Sequence, residues 1–137
     1  MRIMAVDYGD VRTGVAVSDE LATLAGEAWV IEEKSQKALV KLLAKQAISR
    51  NVSFIVVGNP INMDGTIGPR AEKSEQFANL LRSACETEVV LWDERLTTIS
   101  AHQILRVASR RGKKRKNTVD AVAASLILQS YLDFIKL

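Results

Sequence analysis

Apolar and polar positions along this chain follow two rhythms, one of short strands and one of helices. Residues 2–7, 13–18 and 27–33 are short runs rich in Val and Ile, punctuated by Gly9, Gly14 and Gly26, and they predict three adjacent strands in an antiparallel meander. Between Ser35 and Arg50 the positions Leu39, Leu42, Leu43 and Ala47 recur at helical spacing, and the continuous apolar run 53–57 then ends at Gly58. Residues 71–85 repeat the scheme, with Phe77, Leu80, Leu81 and Ala84 on one helical face ahead of the run 88–92. Each helix feeds a buried strand, and such crossovers join parallel neighbours. The expectation is an α/β fold with a mixed five-stranded sheet, a three-stranded antiparallel meander plus two parallel strands, flanked by helices. Two more amphipathic helices are predicted. One spans Thr98–Arg110, burying Ala101, Ile104, Leu105 and Ala108; the other runs from Val119 to Phe134 behind a Thr118 cap, burying Val119, Val122, Ala123, Leu126, Ile127 and Tyr131. The passage from Gly58 to Arg70 reads as a long strand-to-helix loop.

Composition narrows the class. A length of 137 residues with 47% hydrophobic and 26% charged positions fits one soluble domain, residues 1–137, able to bury a continuous core, to which Trp29, Phe77 and Trp92 are assigned. A single cysteine, Cys85, excludes an internal disulfide, and with His102 the one histidine, Cys/His zinc patterns are excluded too. No signal-like apolar region follows Arg2, and no run reaches membrane-spanning length, so a cytoplasmic protein without a membrane partner is expected.

Charge is unevenly spread. The net charge is only +3, yet Arg106, Arg110, Arg111, Lys113, Lys114, Arg115 and Lys116 place seven cations within eleven residues, leaving twelve of the nineteen cations to face sixteen acids elsewhere. A concentrated basic segment on a mildly acidic body suits contact with a phosphate backbone, whereas solubility alone does not require it. A solvated loop is the plainer reading of the same run.

Three acids stand at element ends in apolar surroundings. Asp7 closes the run Ile3–Val6, Glu94 follows Val89–Asp93, and Asp120 opens the last helical stretch. Carboxylates avoid such places unless a cation or donors offset the lost hydration, so three that converge suggest a split metal site. Hard oxygen ligands fit Mg2+ or Mn2+, and phosphodiester hydrolysis needs both an activated water and a neutralised leaving oxygen. Each acid also has a structural reading. Asp7 serves as a turn residue, Asp120 complements the helix dipole, and Glu94 forms a surface ion pair. Asp93 competes with Glu94, and because strand alternation sends the two to opposite faces, only one can point into a common site.

The ordered blocks Asp7-Tyr8-Gly9 with Arg12 and Gly14, Gly58-Asn59-Pro60 with Asp64-Gly65, Asp93-Glu94-Arg95-Leu96-Thr97-Thr98, and the basic run with Val119-Asp120 and Leu126-Ile127-Leu128-Gln129 resemble the YqgF/RuvX family over essentially the whole chain. That resemblance implies an RNase H-like fold and a nuclease. The family is described either as Holliday junction resolvases or as enzymes that process the 5′ end of pre-16S ribosomal RNA in the bacterial cytoplasm. It also implies that Asp7, Glu94 and Asp120 are the catalytic, metal-binding acids. In the wider resolvase superfamily an acid ends the strand that here ends at Val57-Gly58; this chain has none there, and Glu94 on the next strand stands in its place.

Arg12, Arg70, Arg95, Arg110, Arg111, Lys113, Lys114, Arg115 and Lys116 are the expected nucleic-acid contacts, and Gly58, Asn59, Asp64 and Gly65 the expected substrate loop. For Arg12 a hairpin ion pair competes; Arg95 either orients Glu94 or meets substrate. The expected partner is structured pre-ribosomal RNA or branched DNA, bound by a monomer or a homodimer. Two other readings remain open: a nucleic-acid-binding ribosome-assembly factor without turnover, and an actin- or hexokinase-like ATPase, disfavoured because a second, duplicated domain is lacking.

Overall fold

The computed structural model describes residues 1–96 and 113–136. The expected Thr98–Arg110 helix, with His102, Arg110 and Arg111, lies outside the described residues. Five strands, β1 (Arg2–Asp7), β2 (Arg12–Ser18), β3 (Ala25–Glu32), β4 (Val52–Asn59) and β5 (Glu88–Asp93), form one sheet in the order β3-β2-β1-β4-β5. The first three pair antiparallel, and β1, β4 and β5 pair parallel, so the mixed sheet expected from the pattern is present. The helices are α1 (Gln36–Ser49), α2 (Pro69–Ala84) and α3 (Lys113–Ile135), with a short 3-10 turn over Glu94–Leu96 after β5.

Strand alternation sorts the core into two layers. Met4, Val6, Val15, Val17, Ile55, Val57 and Val89 point to one face, where they meet Leu39 and Leu43 of α1 and Phe77 and Leu81 of α2. Ile3, Ala5, Ala16, Val56 and Trp92 point to the other, where Ala124, Ile127, Leu128 and Leu132 of α3 cover them. Each large side chain fully buried in this way contributes about 1.5–3 kcal/mol of transfer free energy. Polar ties fix α3 on its face: the Trp92 indole Nε1 donates to Ser130 Oγ at 3.2 Å, and the Ala25 amide donates to Gln129 Oε1 at 3.0 Å.

The helical faces are rotated from the expected ones. Leu42 and Leu80 are exposed, and α2 buries Ala71, Ser74, Phe77, Ala78 and Leu81 instead. On α3 the buried residues are Ala124, Ile127, Leu128 and Leu132, while Val122, Ala123 and Leu126 are half-buried. These helices carry more apolar residues than one stripe needs, so periodicity alone does not fix which stripe the sheet takes. Trp29 is likewise half-buried; Arg50 stacks over its ring, with Cζ 4.0 Å from the centroid.

The start of α3 also corrects the sequence reading. The helix begins at Lys113, so Thr118 is not its cap and Asp120 does not open it but sits two turns inside. Lys and Arg are good helix formers, and the run Lys113–Lys116 adds a turn where a loop was expected. The dipole reading of Asp120 weakens accordingly, since that effect fades beyond the first turn.

Candidate active site

The parallel strands β1, β4 and β5 end at one edge of the sheet, the place where open α/β folds gather their chemistry. Asp7 is the last residue of β1 and continues the Ile3, Ala5 row toward α3. Its register partner across β2 is Gly14. A Cβ at Gly14 would lie 2.0 Å from the backbone oxygen of Asp120, so glycine there is what lets α3 settle on the sheet and bring Asp120 over Asp7. Glu94 arrives from the turn after β5 and lies over Gly58, where a Cβ would come within 3.3 Å of its carboxyl carbon and 2.6 Å of Ile127 Cδ1. Two glycines thus make room for two of the three acids.

Electrostatics ties the three together. The Asp7 carboxyl is pushed from 3.8 up to about 7, first by burial and then by the negative charges of Glu94 and Asp120, with Arg70 pulling the other way. Although the residue keeps some surface at the sheet edge, its carboxyl is densely surrounded, and the crowding governs its charge. Glu94 is also raised, by burial first and by Asp93, against the pull of Arg70.

Asp120 makes an ion pair with Arg12, Nε to Oδ2 at 3.1 Å, between half-buried side chains. Arg12 is therefore engaged across the fold with α3 and is not a hairpin ion pair. Among the described residues no three His, Cys, Asp or Glu side chains are already gathered at metal-holding spacing. The acids share a field without forming a closed cage.

The neighbouring acid Asp93 has a different fate. Arg95 grips it as a fork, with Nε at 2.9 Å and Nη2 at 2.7 Å from Oδ2, and this pairing holds its carboxyl below the usual carboxylate range. Arg95 orients Asp93, not Glu94. Of the two candidates for the second acid, the structure brings Glu94 to Asp7.

Gly58 and Asn59 belong to β4 and not to a loop. Asn59 is buried, its Nδ2 3.5 Å from Glu75 Oε1 and its Oδ1 without a partner among the described residues. Asp64 is spent on its own turn, accepting from the Thr66 amide at 2.9 Å and the Thr66 hydroxyl at 2.6 Å, while Gly65 at φ +89° closes that turn beside Arg95. Arg70 sits at the start of α2, exposed, with its charge felt by both Asp7 and Glu94. Of Lys113, Lys114, Arg115 and Lys116 the structure places the backbone on α3, six or fewer residues before Val119. The sequence reading missed the parts played by Gly14 and Ile127, whose only signal was a glycine within a strand and an apolar residue four to eight positions beyond an acid.

Comparison with known proteins supplies context. The family described as "RuvX: Holliday junction resolvase" matches residues 1–134. A protein of Halothermothrix orenii is 46% identical over 134 residues, covering 98% of this chain and 96% of the relative, and carries the name "Putative pre-16S rRNA nuclease". A protein of Geobacillus sp. (strain WCH70) with the same name is 47% identical over 135 residues, covering 97% and 98%. Among solved structures, T. thermophilus RuvC in complex with Holliday junction substrate aligns with a TM-score of 0.64 at 13% identity, covering 98% of this chain and 96% of that one. The fowlpox virus resolvase with Holliday junction DNA aligns at 0.55 and 12%, covering 98% and 99%. At such identities the likeness concerns the fold, which is RNase H-like.

Proposed function

Because the chain belongs to the RuvX (YqgF) family of nucleases, we propose that it is a divalent-metal-dependent endonuclease that hydrolyses phosphodiester bonds, acting in the cytoplasm on the 5′ end of pre-16S ribosomal RNA. The observation that carries the reading is the crowded carboxyl of Asp7, held at about 7 between Glu94 and Asp120. A buried acid with two acidic neighbours is costly to keep for structure alone and suits a cation. Three oxygen donors fit Mg2+ or Mn2+ in kind. Asp7 and Glu94 would hold the ion, and Asp120 would join once it leaves Arg12. When bound, the ion supplies charge that lowers the pKa of a coordinated water and neutralises the leaving oxygen.

The remaining work falls to the protein's own groups. Arg70, already within reach of both acids' fields, is placed to meet a non-bridging phosphate oxygen when nucleic acid arrives. Arg12 holds Asp120 in the absence of substrate and, on exchanging that partner for a phosphate, frees a carboxylate where the charge is needed. The cations of the 110–116 segment, at and just before the start of the helix that carries Asp120, supply the sequence-independent grip on the backbone. Branched DNA is the second reading, favoured by the description attached to the matching family.

The test is a cleavage assay with Mn2+ and with chelator, on a pre-16S RNA fragment and on a four-way DNA junction, using wild type and Asp7→Asn. Cleavage that needs the metal and is lost in folded Asp7→Asn is expected. Undiminished cleavage by the variant would leave only a binding factor.

A further inference from the structure

Next to the acids, and sharing Arg70 with them, the first turns of α2 and the β1–β2 turn form a cavity of about 70 Å3 lined by Tyr8, Gly9, Asp10, Arg70, Lys73 and Ser74, together with Pro69. We propose that this cavity is a phosphate subsite, taking one phosphate group of a nucleic-acid strand whose neighbouring linkage lies at Asp7 and Glu94. The inference rests on the nuclease reading for the identity of the strand, though not for the binding of phosphate itself.

Four independent features meet there. α2 is a helix of 16 residues whose cap, Gly68, provides no side-chain acceptor, and with Pro69 first, the amides of Arg70 and Ala71 are left as donors at the positive end of the helix dipole. Arg70 and Lys73 add two cationic side chains one turn apart. Ser74, only 3% exposed as a residue, lines the same cavity, and no side-chain hydrogen bond to another described residue competes for its hydroxyl. Finally, the walls are rigid. The Tyr8 ring stacks on Phe77 of α2 with centroids 4.4 Å apart, and Gln36 Nε2 donates to the Tyr8 hydroxyl at 2.9 Å, so the β1–β2 turn is clamped against α2. Donors that need no rearrangement bind an anion at lower entropic cost.

One group in the cavity opposes an anion. Asp10 accepts from Lys73 at 3.3 Å, with both side chains more than half exposed. An exposed pair of this kind contributes little, so a phosphate can displace Asp10 from Lys73. Asp10 therefore tunes the subsite, weakening its hold on free phosphate while leaving the lysine poised.

The experiment follows the backbone amides of the full chain by NMR during titration with inorganic phosphate. Saturable shifts at Arg70 and Ala71 are expected, with affinity about tenfold weaker in Lys73→Gln and about threefold weaker in Ser74→Ala, and tighter in Asp10→Asn, as lost and gained charge-assisted hydrogen bonds dictate. Absence of saturable shifts, or affinities unmoved by both Lys73→Gln and Ser74→Ala, overturns the subsite. Matched RNA oligonucleotides with a 5′-phosphate or a 5′-hydroxyl then identify the source. Preference for the phosphorylated one assigns a terminal monoester, and equal binding weakened alike by Lys73→Gln assigns an internal diester. Phosphate binding retained in Asp7→Asn separates this subsite from the acids, so a failed nuclease reading and a failed subsite give different results.

Discussion

Asp93 and Glu94 are chemically near-identical neighbours, and the fold treats them in opposite ways. Asp93 ends β5 facing the α1 and α2 side, where Arg95 supplies a forked pair and its carboxyl is held ionised below its ordinary range. Glu94 turns to the α3 side, over Gly58 and beside Asp7, where burial raises both carboxyls. One acid has been given a partner from its own turn; the other, among the described residues, has the charge of Arg70 acting on it and no hydrogen-bonded cation of its own. A satisfied carboxylate stabilises a loop, whereas a crowded and incompletely balanced one marks chemistry.

Substitution at the two positions is the strongest way to break that contrast. Asp7→Asn and Glu94→Gln are expected to reduce the cleavage rate by about a thousandfold or more, as loss of an interaction made chiefly in the transition state would, at little cost to folding. Asp93→Asn is expected to lower it less than about fivefold, by loosening the turn without touching the reacting atoms. Single-turnover rates on one RNA substrate compare all three. Equal losses at Asp93 and Glu94 would erase the distinction drawn from their faces.

A second group of variants attacks the glycines that create the crowded side. Gly14→Ala places a Cβ 2.0 Å from the Asp120 backbone oxygen, which belongs to a packed helix and cannot move cheaply. A loss of about 3 kcal/mol in urea unfolding is expected, together with loss of cleavage as α3 lifts Asp120 away. Gly58→Ala meets the far end of Ile127, 2.6 Å away, and the Glu94 carboxyl, so a smaller cost of about 1 kcal/mol is expected. Trimming Cδ1 with Ile127→Val should return most of that stability in the double variant, while activity stays low because Glu94 remains displaced. Recovery of both would show that Gly58 serves packing alone.

Much of this was readable before any coordinates. The meander, the two crossovers and the order of elements follow from periods of two and 3.6, because those patterns are imposed locally by which side of a strand or helix is buried. Asp7, Glu94 and Asp120 stood out as acids in apolar surroundings. What stayed hidden is tertiary in origin. Whether α3 uses the stripe through Ala124 and Leu128 or the one through Ala123 and Leu126 depends on the sheet it meets, and both stripes are apolar. The early start of α3 at Lys113 was obscured because a run of like charges reads as loop. Gly14 was visible only as punctuation; its meaning needs the helix that crosses it 108 residues away in the Arg12–Asp120 pairing next door.

The last comparison concerns stability against pH, and here the two acids should differ in sign. In the folded chain Asp7 stands at about 7 against an ordinary 3.8, so between those values the fold retains a proton that the unfolded chain has released. Its favourable contribution is complete below the lower value, declines as pH rises, and is gone above the upper one. A shift of that size would amount to about 4 kcal/mol, but Asp7 keeps some surface, so about 1–2 kcal/mol is the expected loss in metal-free protein. Chelator-treated wild type should therefore lose stability from pH 4 to 7 relative to Asp7→Asn, and millimolar Mg2+ should remove the difference at pH 8 by binding only the folded wild type. Asp93 runs the other way. Its folded pKa is lowered, so its pairing with Arg95 contributes above the ordinary carboxylate value and is lost as pH falls through the lowered one. The pair is near the surface, so Asp93→Asn should cost only about 0.5 kcal/mol at pH 7 and nothing in strong acid. Thermal unfolding of the three proteins across pH 3–8 reads both trends, and parallel curves for Asp7→Asn and Asp93→Asn would mean that the two carboxyls share one environment after all.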